Sequence, residues 1–534
     1  MPSRTTEQEI ILNRFDGTNL LVDSSYLGPS YLRRSQNWIP GETFRLEKRP
    51  GTTTHPGGTV AAGVTRIHAL FATIVSSTRY LYAVAANAGI DTLYVSTNDG
   101  AWAAVTGGTF VSDAETYGIE QVNDVIYVSN GIDVPKRIPL SAPTVATNLT
   151  AIVSFTDGAA GATHVADIGA SLLSGTYAYS WCIFDHTDGL YLERGQTREI
   201  SKNTIADTAL SFPVPTGFAT NAGALSTRYR AHLFVSPVNF PVEFGHDQTP
   251  EGVQAGATVL RQIVVDGPPV PLRNAVRRGQ VLRAYRGRLV LAVDTTTPQA
   301  VWCTGTLAPG LEQPLFNAGE FFPHNGRLPR PPTDVTTIGL ATVGERGRES
   351  TRGPLVITTL SRTFLLSGDF LDDPSAMFEQ ISPRAGCIGP KAATETPVGF
   401  CYIGTESVWC LPNGGGLPID LGWPIRPAVK DVPSTSRTRC LAWYHKGFLK
   451  IALVPMGQVT AIHQWWLDLR QGLPASIPSW WGPHLGVAPS CVTVSHVEPA
   501  EPDRAWHAVE GTNRVELIHQ LNKTTENNGA STIV

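Results

Sequence analysis

Apolar positions along this chain recur in one kind of unit: a short apolar strand, a tight turn, and a second strand that ends on an aromatic residue. Each unit predicts two β-strands of about 4 to 7 residues, with no helix between successive units. Irregular recurrence of such hairpins, about every 40 to 60 residues, indicates a β-propeller, in which blades surround an axis. The clearest units are Tyr285–Val293 (YRGRLVLAV), Gly353–Asp369 (GPLVITTLSRTFLLSGD), Gly399–Gly416 (GFCYIGTESVWCLPNGGG) and His445–Gly472.

The pattern changes between residues 143 and 265, where longer alternating strands replace the hairpin units. In this stretch Tyr177, Tyr179 and Trp181 fall on one face of a predicted strand. Several such strands are typical of an immunoglobulin-like or fibronectin-like β-sandwich, which we expect to be inserted between two blades. The predicted organisation is an extended N-terminal arm (1–60), the first propeller blades (61–142), the inserted sandwich (143–265), and the remaining blades with a closing C-terminal strand (266–534).

A propeller that combines its first and last strands in one blade leaves no sheet edge exposed. The C-terminal candidate for this closure is Asn513–Leu521. On the N-terminal side both Ile10–Phe15 and the strands after Thr65 fit, and the pattern leaves the choice open.

Composition narrows the class of protein. The formal net charge of −4 excludes a generally basic nucleic-acid binder. It does not exclude a protein through which DNA passes, since a neutral or mildly acidic conduit would not hold the phosphates. The seven cysteines show no CxxC and no metal-ligand spacing, so we expect buried free thiols, although Cys401 and Cys410 could face each other across one hairpin. No apolar leader and no apolar run of about 18 to 20 residues is present, so we expect a protein made in a cytoplasm with no membrane segment.

Several segments together resemble bacteriophage tail proteins of the nozzle, hub or packaged-DNA-stabilisation kind. The opening NRFDGTNLLVDSSYLGPSYLRRSQNW, followed by the turn LEKRPGT, resembles the arm with which those proteins begin. The strand YRAHLFVSP resembles their fibronectin-like insertion. Three further stretches resemble their successive blades: Tyr285–Pro323, Thr336–Asp369 and Ile381–Leu411.

The resemblance implies a structural protein of the virion, synthesised in the host cytoplasm, with no enzymatic activity and no cofactor. Copies of the chain, six by expectation, would form a ring below the portal and its adaptor and would contact other tail proteins. The ring would retain the packaged double-stranded DNA and conduct it during ejection, without sequence-specific contacts. Function would then lie in the lumen of the assembled ring, which we expect to be poor in Lys and Arg.

Two groups of residues are candidate interfaces with partners. Four tryptophans lie close together in the sequence: Trp465, Trp466, Trp480 and Trp481. They suit either the core of a blade or a subunit interface, where tryptophan is enriched among the residues that dominate binding. Two arginine-bearing loops suit either docking to neighbouring tail proteins or plain solvation, and their arginines are Arg327, Arg330, Arg346 and Arg348.

A carbohydrate-binding or sialidase-like propeller is the alternative function. The turn in Ser96–Trp102 (STNDGAW) is similar to the Asp-box hairpin of sialidases, but any Asx-type hairpin turn produces the same pattern. A sialidase would need arginines that converge on the axis, for which Arg286, Arg288, Arg362 and Arg384 are available, and glycoside hydrolysis would need paired carboxylates, for which Asp369, Asp372, Asp373 and Glu379 are available. Zinc-hydrolase and nucleotide-binding motifs are absent from the sequence.

Overall fold

The protein, seen in a computed structural model, consists mainly of β-strands in its described residues. The described residues are 17–21, 31–32, 35–36, 38–40, 46–48, 51–87, 89–111, 114–149, 153–156, 161–166, 172–186, 190–194, 197–202, 208–214, 217–220, 229–253, 257–266, 278–285, 287–293, 301–303, 339–342, 354–367, 377–413, 416–474, 478–495 and 504–518. No helix among them is long and apolar enough to cross a membrane.

The chain divides into two compact units. The first contains Met1–Asn148, Arg278–Val301 and Glu320–Val534, and the second contains Leu149–Arg277 and Trp302–Gly319. Residues 143–148, which the sequence pattern assigned to the inserted domain, therefore belong to the first unit.

The first unit begins with five short strands and two complete blades. The arm strands are β1 (Gly17–Thr18), β2 (Tyr31–Leu32), β3 (Trp38–Pro40), β4 (Leu46–Lys48) and β5 (Thr52–Thr54). Blade 1 contains β6 (Val64–Val75), β7 (Thr78–Asn87), β8 (Ile90–Thr97) and β9 (Trp102–Phe110). Blade 2 contains β10 (Gly118–Val122), β11 (Val125–Ser129), β12 (Lys136–Pro139) and β13 (Thr147–Asn148).

The second unit is a β-sandwich. Its strands are β14 (Val153–Thr156), β15 (Thr163–Ala166), β16 (Gly175–Asp185), β17 (Leu190–Arg194), β18 (Arg198–Lys202), β19 (Thr208–Pro213), β20 (Gly217–Thr220), β21 (Tyr229–Val235), β22 (His246–Asp247) and β23 (Ala257–Leu260), with a 3₁₀ turn at Val242–Phe244. One sheet is built around β16 and β21, and a second has the order β15-β19-β23. Tyr177, Tyr179 and Trp181 of the first sheet share a core with Leu210 and Phe212 of the second, so the predicted common face is confirmed.

The first unit resumes with five further blades. Blade 3 contains β24 (Val281–Tyr285), β25 (Arg288–Ala292) and β26 (Val301–Cys303); blade 4 contains β27 (Gly339–Thr342), β28 (Leu355–Thr358), β29 (Thr363–Ser367) and β30 (Met377–Ser382). Blade 5 contains β31 (Ala393–Thr396), β32 (Gly399–Ile403), β33 (Val408–Pro412) and β34 (Ile419–Asp420). A 3₁₀ turn (Trp423–Ile425), the short helix α1 (Arg426–Lys430) and a second 3₁₀ segment (Ser434–Arg439) follow. Blade 6 contains β35 (Leu441–His445), β36 (Phe448–Leu453), β37 (His463–Asp468) and β38 (Trp480–His484); blade 7 contains β39 (Pro489–Ser495), β40 (Arg504–Val509), β41 (Val515–Ile518) and β5.

These sheets form a closed β-propeller with seven blades in the described residues. In blades 1 to 6 the strands follow chain order, and in blade 7 the arm strand β5 is added beside β41. Neighbouring strands pair antiparallel, as β7 with β8 and β36 with β37. The first strand of each blade contacts the first strands of the blades before and after it, and β39 of blade 7 contacts β6 of blade 1. The first strands therefore surround the axis, as in a propeller. The all-β fold with a propeller, an inserted sandwich and an N-terminal arm is confirmed.

Tight turns explain why these apolar runs form hairpins. Asn98–Asp99 between β8 and β9 and Lys446–Gly447 between β35 and β36 all have positive φ angles. Turns with two successive left-handed residues match the twist of the flanking strands, and Asn, Asp and Gly tolerate the left-handed conformation best. The Asp-box-like segment is thus a hairpin turn, and Asp99 accepts hydrogen bonds from Arg79 (2.7 Å) and from Arg504 of blade 7 (2.8 Å).

Blade 7 closes the ring with a strand from the N-terminal arm. Thr53 of β5 is paired with Leu517 of β41, which lies in the predicted C-terminal segment. The N-terminal prediction that named the strands after Thr65 is wrong, because these strands build blade 1. The other candidate, Ile10–Phe15, lies outside the described residues.

A buried carboxylate reinforces this closure. Glu516 of β41 accepts a hydrogen bond from the Thr52 hydroxyl at 2.7 Å, and the His507 ring lies 3.3 Å from the same oxygen. Burial alone would raise the pKa of Glu516, but the His507 and Thr52 contacts outweigh it and hold that pKa below its usual value.

The preceding part of the arm packs on blade 6. The Ser35 hydroxyl accepts a hydrogen bond from the Gly482 N–H at 2.8 Å, and the Leu20 N–H donates to the Pro424 carbonyl at 2.9 Å. Ile39 shares a small apolar cluster with Phe448 and Trp466. The described part of the arm is therefore held to its own propeller.

Cysteines are concentrated in the apolar core of blades 5 and 6. Cys401 and Cys410 are direct partners across the β32–β33 ladder, so the expectation that they could face each other is confirmed. The six cysteines whose side chains the structure describes are free and buried, as predicted. Burial raises the pKa of the Cys440 thiol to about 11 and that of the Cys401 thiol well above its usual value, which keeps both thiols protonated and unreactive at neutral pH.

Candidate functional site: the axis of the propeller

Charged side chains lie where the blades meet at the axis. The third residue of the first strand is charged in four blades: Arg66 in β6, Glu120 in β10, Arg283 in β24 and Glu395 in β31. Because only first strands surround the axis, a contact between blades that are not neighbours must cross it. Such contacts show which of these side chains bridge the ring.

Arg283 crosses the axis at the level of the middle of the first strands. Its guanidinium lies 3.6 Å from Glu120 of blade 2 and also donates a hydrogen bond to Glu395 of blade 5. Blade 5 is not a neighbour of blade 3, so this triad joins three blades through the centre of the ring. The Arg283 side chain is 27% exposed, which indicates that water reaches the cluster along the axis.

Lys391 crosses the axis at the end where the first strands begin. It precedes β31 of blade 5, and its ammonium donates to the carbonyls of His68 in blade 1 (2.7 Å), Glu115 before blade 2 (3.3 Å) and Ser490 in blade 7 (3.4 Å). In a ring of seven, blades 1 and 2 lie opposite blade 5, whereas blade 7 is separated from blade 5 by blade 6. One lysine side chain therefore bridges the opening at the axis between blade 5 and these blades.

Further ion pairs surround Lys391. The Glu115 carboxylate lies 3.4 Å from Arg66 and 2.5 Å from Arg439, while Arg66 also lies 3.1 Å from Glu510. These arginines hold the pKa of Glu115 below its usual value, although its partial burial acts in the opposite direction. The axial residues named so far comprise four basic and four acidic groups and are therefore balanced in charge: Arg66, Arg283, Lys391 and Arg439 against Glu115, Glu120, Glu395 and Glu510.

Burial shifts the pKa values of two residues at the axis, Glu120 and Lys391. The pKa of Glu120 is raised to about 7, mainly by loss of hydration; Arg283 acts to lower it and the nearby Glu395 carboxylate acts to raise it. Burial likewise lowers the pKa of Lys391, with Arg66 contributing in the same direction. Glu120 is thus a described residue of the axis whose protonation changes near neutral pH.

Glu120→Gln should reduce the pH dependence of stability between about pH 5 and 8. Since the folded-state pKa of Glu120 (about 7) lies above its ordinary value of 4.5, folding takes up a proton in this range. The stabilisation from Glu120 is complete below pH 4.5 and is lost as the pH rises through 7. Urea unfolding followed by tryptophan fluorescence at several pH values measures this slope.

Glu406→Gln is the matched control for that experiment, because the Glu406 side chain is 69% exposed. It should leave the slope of the wild-type protein unchanged. An unchanged slope in Glu120→Gln would contradict the assignment of this proton to Glu120.

The bridged axis bears on the passage of DNA. One lysine side chain bridges the axial opening, so this opening is only a few ångströms wide. Duplex DNA is far wider, since its major groove alone measures about 12 Å. Duplex DNA therefore does not pass along the axis of a single propeller. A passage for DNA would have to lie between copies of the chain, and the expectation of a lumen poor in Lys and Arg stays a prediction about that assembled lumen.

The four candidate tryptophans lie in the core and not at the surface. Trp465, Trp466, Trp480 and Trp481 are each at most 2% exposed. The Trp480 indole N–H donates to the Leu421 carbonyl of blade 5 at 2.7 Å, and the Lys450 ammonium lies 4.0 Å from the centroid of the Trp466 ring. Their assignment as a subunit interface is thus corrected to the packing alternative: they join blade 6 to blade 5 and to the arm.

The other candidate residues are only partly described. Arg327, Arg330, Arg346 and Arg348 lie outside the described residues, as do Arg286, Asp369, Asp372 and Asp373. Arg288 is buried on the second strand of blade 3, and Arg362, before the third strand of blade 4, donates to Gln380 at 3.2 Å. Neither lies on a first strand, so the structure does not bring them together at the axis. Arg384 and Glu379 are exposed.

A second polar network was not predicted from the sequence. Asp91 of blade 1 is fully buried and accepts hydrogen bonds from the Tyr117 hydroxyl (2.5 Å) and the Ala114 N–H (3.1 Å), and the His68 ring lies 3.3 Å away. The His68 and Tyr117 contacts outweigh burial and lower the pKa of Asp91. Because Lys391 binds the His68 carbonyl, this network connects the axial cluster to the junction of blades 1 and 2.

Comparison with known proteins gives no family. No family model and no curated protein matches the chain. Among solved structures, the chain is similar to BBS1N in its complex with ARL6DN (8% identity, 92% of this chain and 99% of that chain, TM-score 0.32). It is also similar to Sqt1 of Chaetomium thermophilum (9% identity, 88% and 99%, TM-score 0.33). At such TM-scores the likeness carries no argument, and the fold rests on the strand pairing of the chain itself.

Proposed function

We propose that this chain is a structural component of a bacteriophage tail, in the position of a nozzle or hub below the portal and adaptor. Copies of the chain form a ring that retains the packaged DNA and conducts it during ejection. The proposal starts from the resemblance of the arm, the blades and the insertion to tail proteins of that kind.

The observation that best supports this role is the bridged axis. Contacts from Arg283 and Lys391 tie blades together across the centre, so the propeller forms a braced ring. In a ligand-binding or catalytic propeller the axial cavity is a natural place for a small-molecule site. Here the axis is occupied by balanced ion pairs, which suits a rigid building block that acts through its outer surfaces.

The test is the assembly state of the purified full chain. Size-exclusion chromatography with light scattering, followed by electron microscopy, should show closed rings of six copies with an open lumen between the propellers. Labelling of phage particles with an antibody against the chain should place it below the portal.

Two results would overturn the proposal. The first is a chain that stays monomeric and is absent from particles. The second is turnover of a glycan that is abolished by Glu379→Gln or by Asp369→Asn, which would favour the carbohydrate-processing alternative. A continuous basic lining of the ring lumen would argue against passive conduction in particular.

A further inference from the structure

Two histidines and an aspartate lie together in the inserted sandwich. The Nε2 atoms of His186 and His232 are 3.3 Å apart, and Nδ1 of His232 lies 2.6 Å from Oδ2 of Asp247. His232 and Asp247 are each 2% exposed, while His186 is half-buried at the end of β16. None of these residues takes part in the axial cluster.

The strand register of the sandwich creates this arrangement. His232 of β21 is paired with Cys182 of β16, and His186 directly follows that strand. Asp247 of β22 is paired with Phe234, the second residue after His232 on β21. The Phe184 ring lies 4.8 Å from His186 and 4.9 Å from His232, so it limits the rotation of both imidazoles.

Asp247 fixes which nitrogen His232 presents to His186. With Nδ1–H of His232 donated to the carboxylate, the Nε2 lone pair points towards His186. Histidines that bind metal ions are commonly oriented by a carboxylate in this way. Oδ1 of Asp247 accepts the Thr249 N–H at 2.8 Å, so both carboxylate oxygens have partners and Asp247 acts by positioning His232.

The separation of the two nitrogens matches a shared metal ion. Two imidazole nitrogens bound to tetrahedral Zn²⁺ at about 2.0 to 2.1 Å lie about 3.3 to 3.4 Å apart. N–H···O hydrogen bonds have a modal separation of about 2.9 to 3.0 Å. The observed 3.3 Å between the two imidazole nitrogens agrees with the arrangement around a shared ion.

We propose that His186 and His232 form a binding site for a divalent transition-metal ion, Zn²⁺ by preference, with Asp247 as the positioning residue. The ion takes the place of the proton that would otherwise join the two nitrogens. Among the described residues no third His, Cys, Asp or Glu completes a ligand group. The bound ion ties the end of β16 to β21.

The experiment uses the full chain, stripped with a chelator and titrated with ZnCl₂ by calorimetry and with CoCl₂ by visible absorption. One ion should bind per chain, with the intense absorption typical of tetrahedral cobalt. His186→Ala and His232→Ala should each weaken binding at least about tenfold, and Asp247→Asn about 10 to 100-fold, as for other orienting carboxylates. Zn²⁺ should raise the melting temperature of the wild-type protein but not that of His186→Ala.

His164→Ala is the matched control, because His164 lies on β15 of the same sandwich with its ring 3.0 Å from the Ser201 carbonyl. It should bind metal like the wild-type protein. If His232→Ala fails to fold because His232 is buried, His186→Ala still tests the proposal. Absence of stoichiometric binding, or wild-type affinity in His186→Ala, would overturn the proposal.

Discussion

Thr53→Pro is expected to lower the free energy of unfolding by about 2 to 4 kcal/mol, because it removes the hydrogen bond that closes the ring and introduces a clash with β41. In the closing sheet the His55 N–H donates to the Val515 carbonyl at 2.8 Å. Alternate N–H groups of a strand point the same way, so the Thr53 N–H also points to β41, towards its partner Leu517. Proline has no N–H to donate there.

Thr54→Pro is the matched control for this closure. β5 is the edge strand of blade 7, and the Thr54 N–H points away from β41. Proline is tolerated at such edge positions, so the expected loss is below about 1 kcal/mol. Urea unfolding measures both variants, and hydrogen exchange should show lost protection in β41 only for Thr53→Pro. Equal effects of the two substitutions would contradict the closing role of β5.

Arg283→Met should cost about 2 to 4 kcal/mol of folding free energy, since it leaves Glu120 and Glu395 facing each other without their shared cation. The three side chains are only 18 to 34% exposed, so water replaces the lost interaction in part and the value lies below that of a fully dry site. The pKa of Glu120, already about 7 from burial, should rise further in this variant.

Two further variants show whether Arg283→Met loses stability because unpaired charge remains at the axis. The triple variant Arg283→Met, Glu120→Gln, Glu395→Gln should recover most of the stability, because no unpaired charge then remains at the axis. Lys430→Met, which removes an exposed pair with Glu406, should cost less than about 1 kcal/mol. Urea unfolding would contradict this account if Arg283→Met were no more destabilising than Lys430→Met.

Much of the fold was predictable because local patterns set the hairpins. The predicted hairpins Gly353–Asp369 and Gly399–Gly416 form β28–β29 and β32–β33, with turns where the sequence changes from apolar to Gly or polar residues. The unit Tyr285–Val293 holds only the end of β24 and the strand β25, because the first strand of that hairpin begins earlier, at Val281. The face shared by Tyr177, Tyr179 and Trp181 also followed directly from strand alternation. These features depend only on neighbours along the chain.

The closing strand and the axial cluster were not predictable in this way. Thr52–Thr54 has three identical polar residues and no alternation, so its role appears only when β41 is placed beside it. Glu120, Arg283 and Glu395 look like ordinary polar residues in strands until the blade order brings them to one axis. The repeated charge at the third position of the first strand was the available signal, and it becomes visible only once the blades are aligned.

The location of the four candidate tryptophans could not be predicted from the sequence either. Four aromatic residues within one short stretch fit either a binding surface or a core, since both need large apolar side chains. The choice depends on what covers them, and the residues that do so, such as Leu421 and Ile39, are distant in the sequence.

The origin of the closing strand has a consequence for biosynthesis. Thr52 and Glu516 are separated by 464 residues, so the nascent chain cannot complete blade 7 until the residues as far as β41 have left the ribosome. At about 5 to 20 residues per second, translation of this interval takes roughly 20 to 90 s. During that time β5 has no partner and blade 1 has no blade 7 beside it, so a ribosome that terminates early would release a propeller with two unprotected edges, ready to pair with other chains.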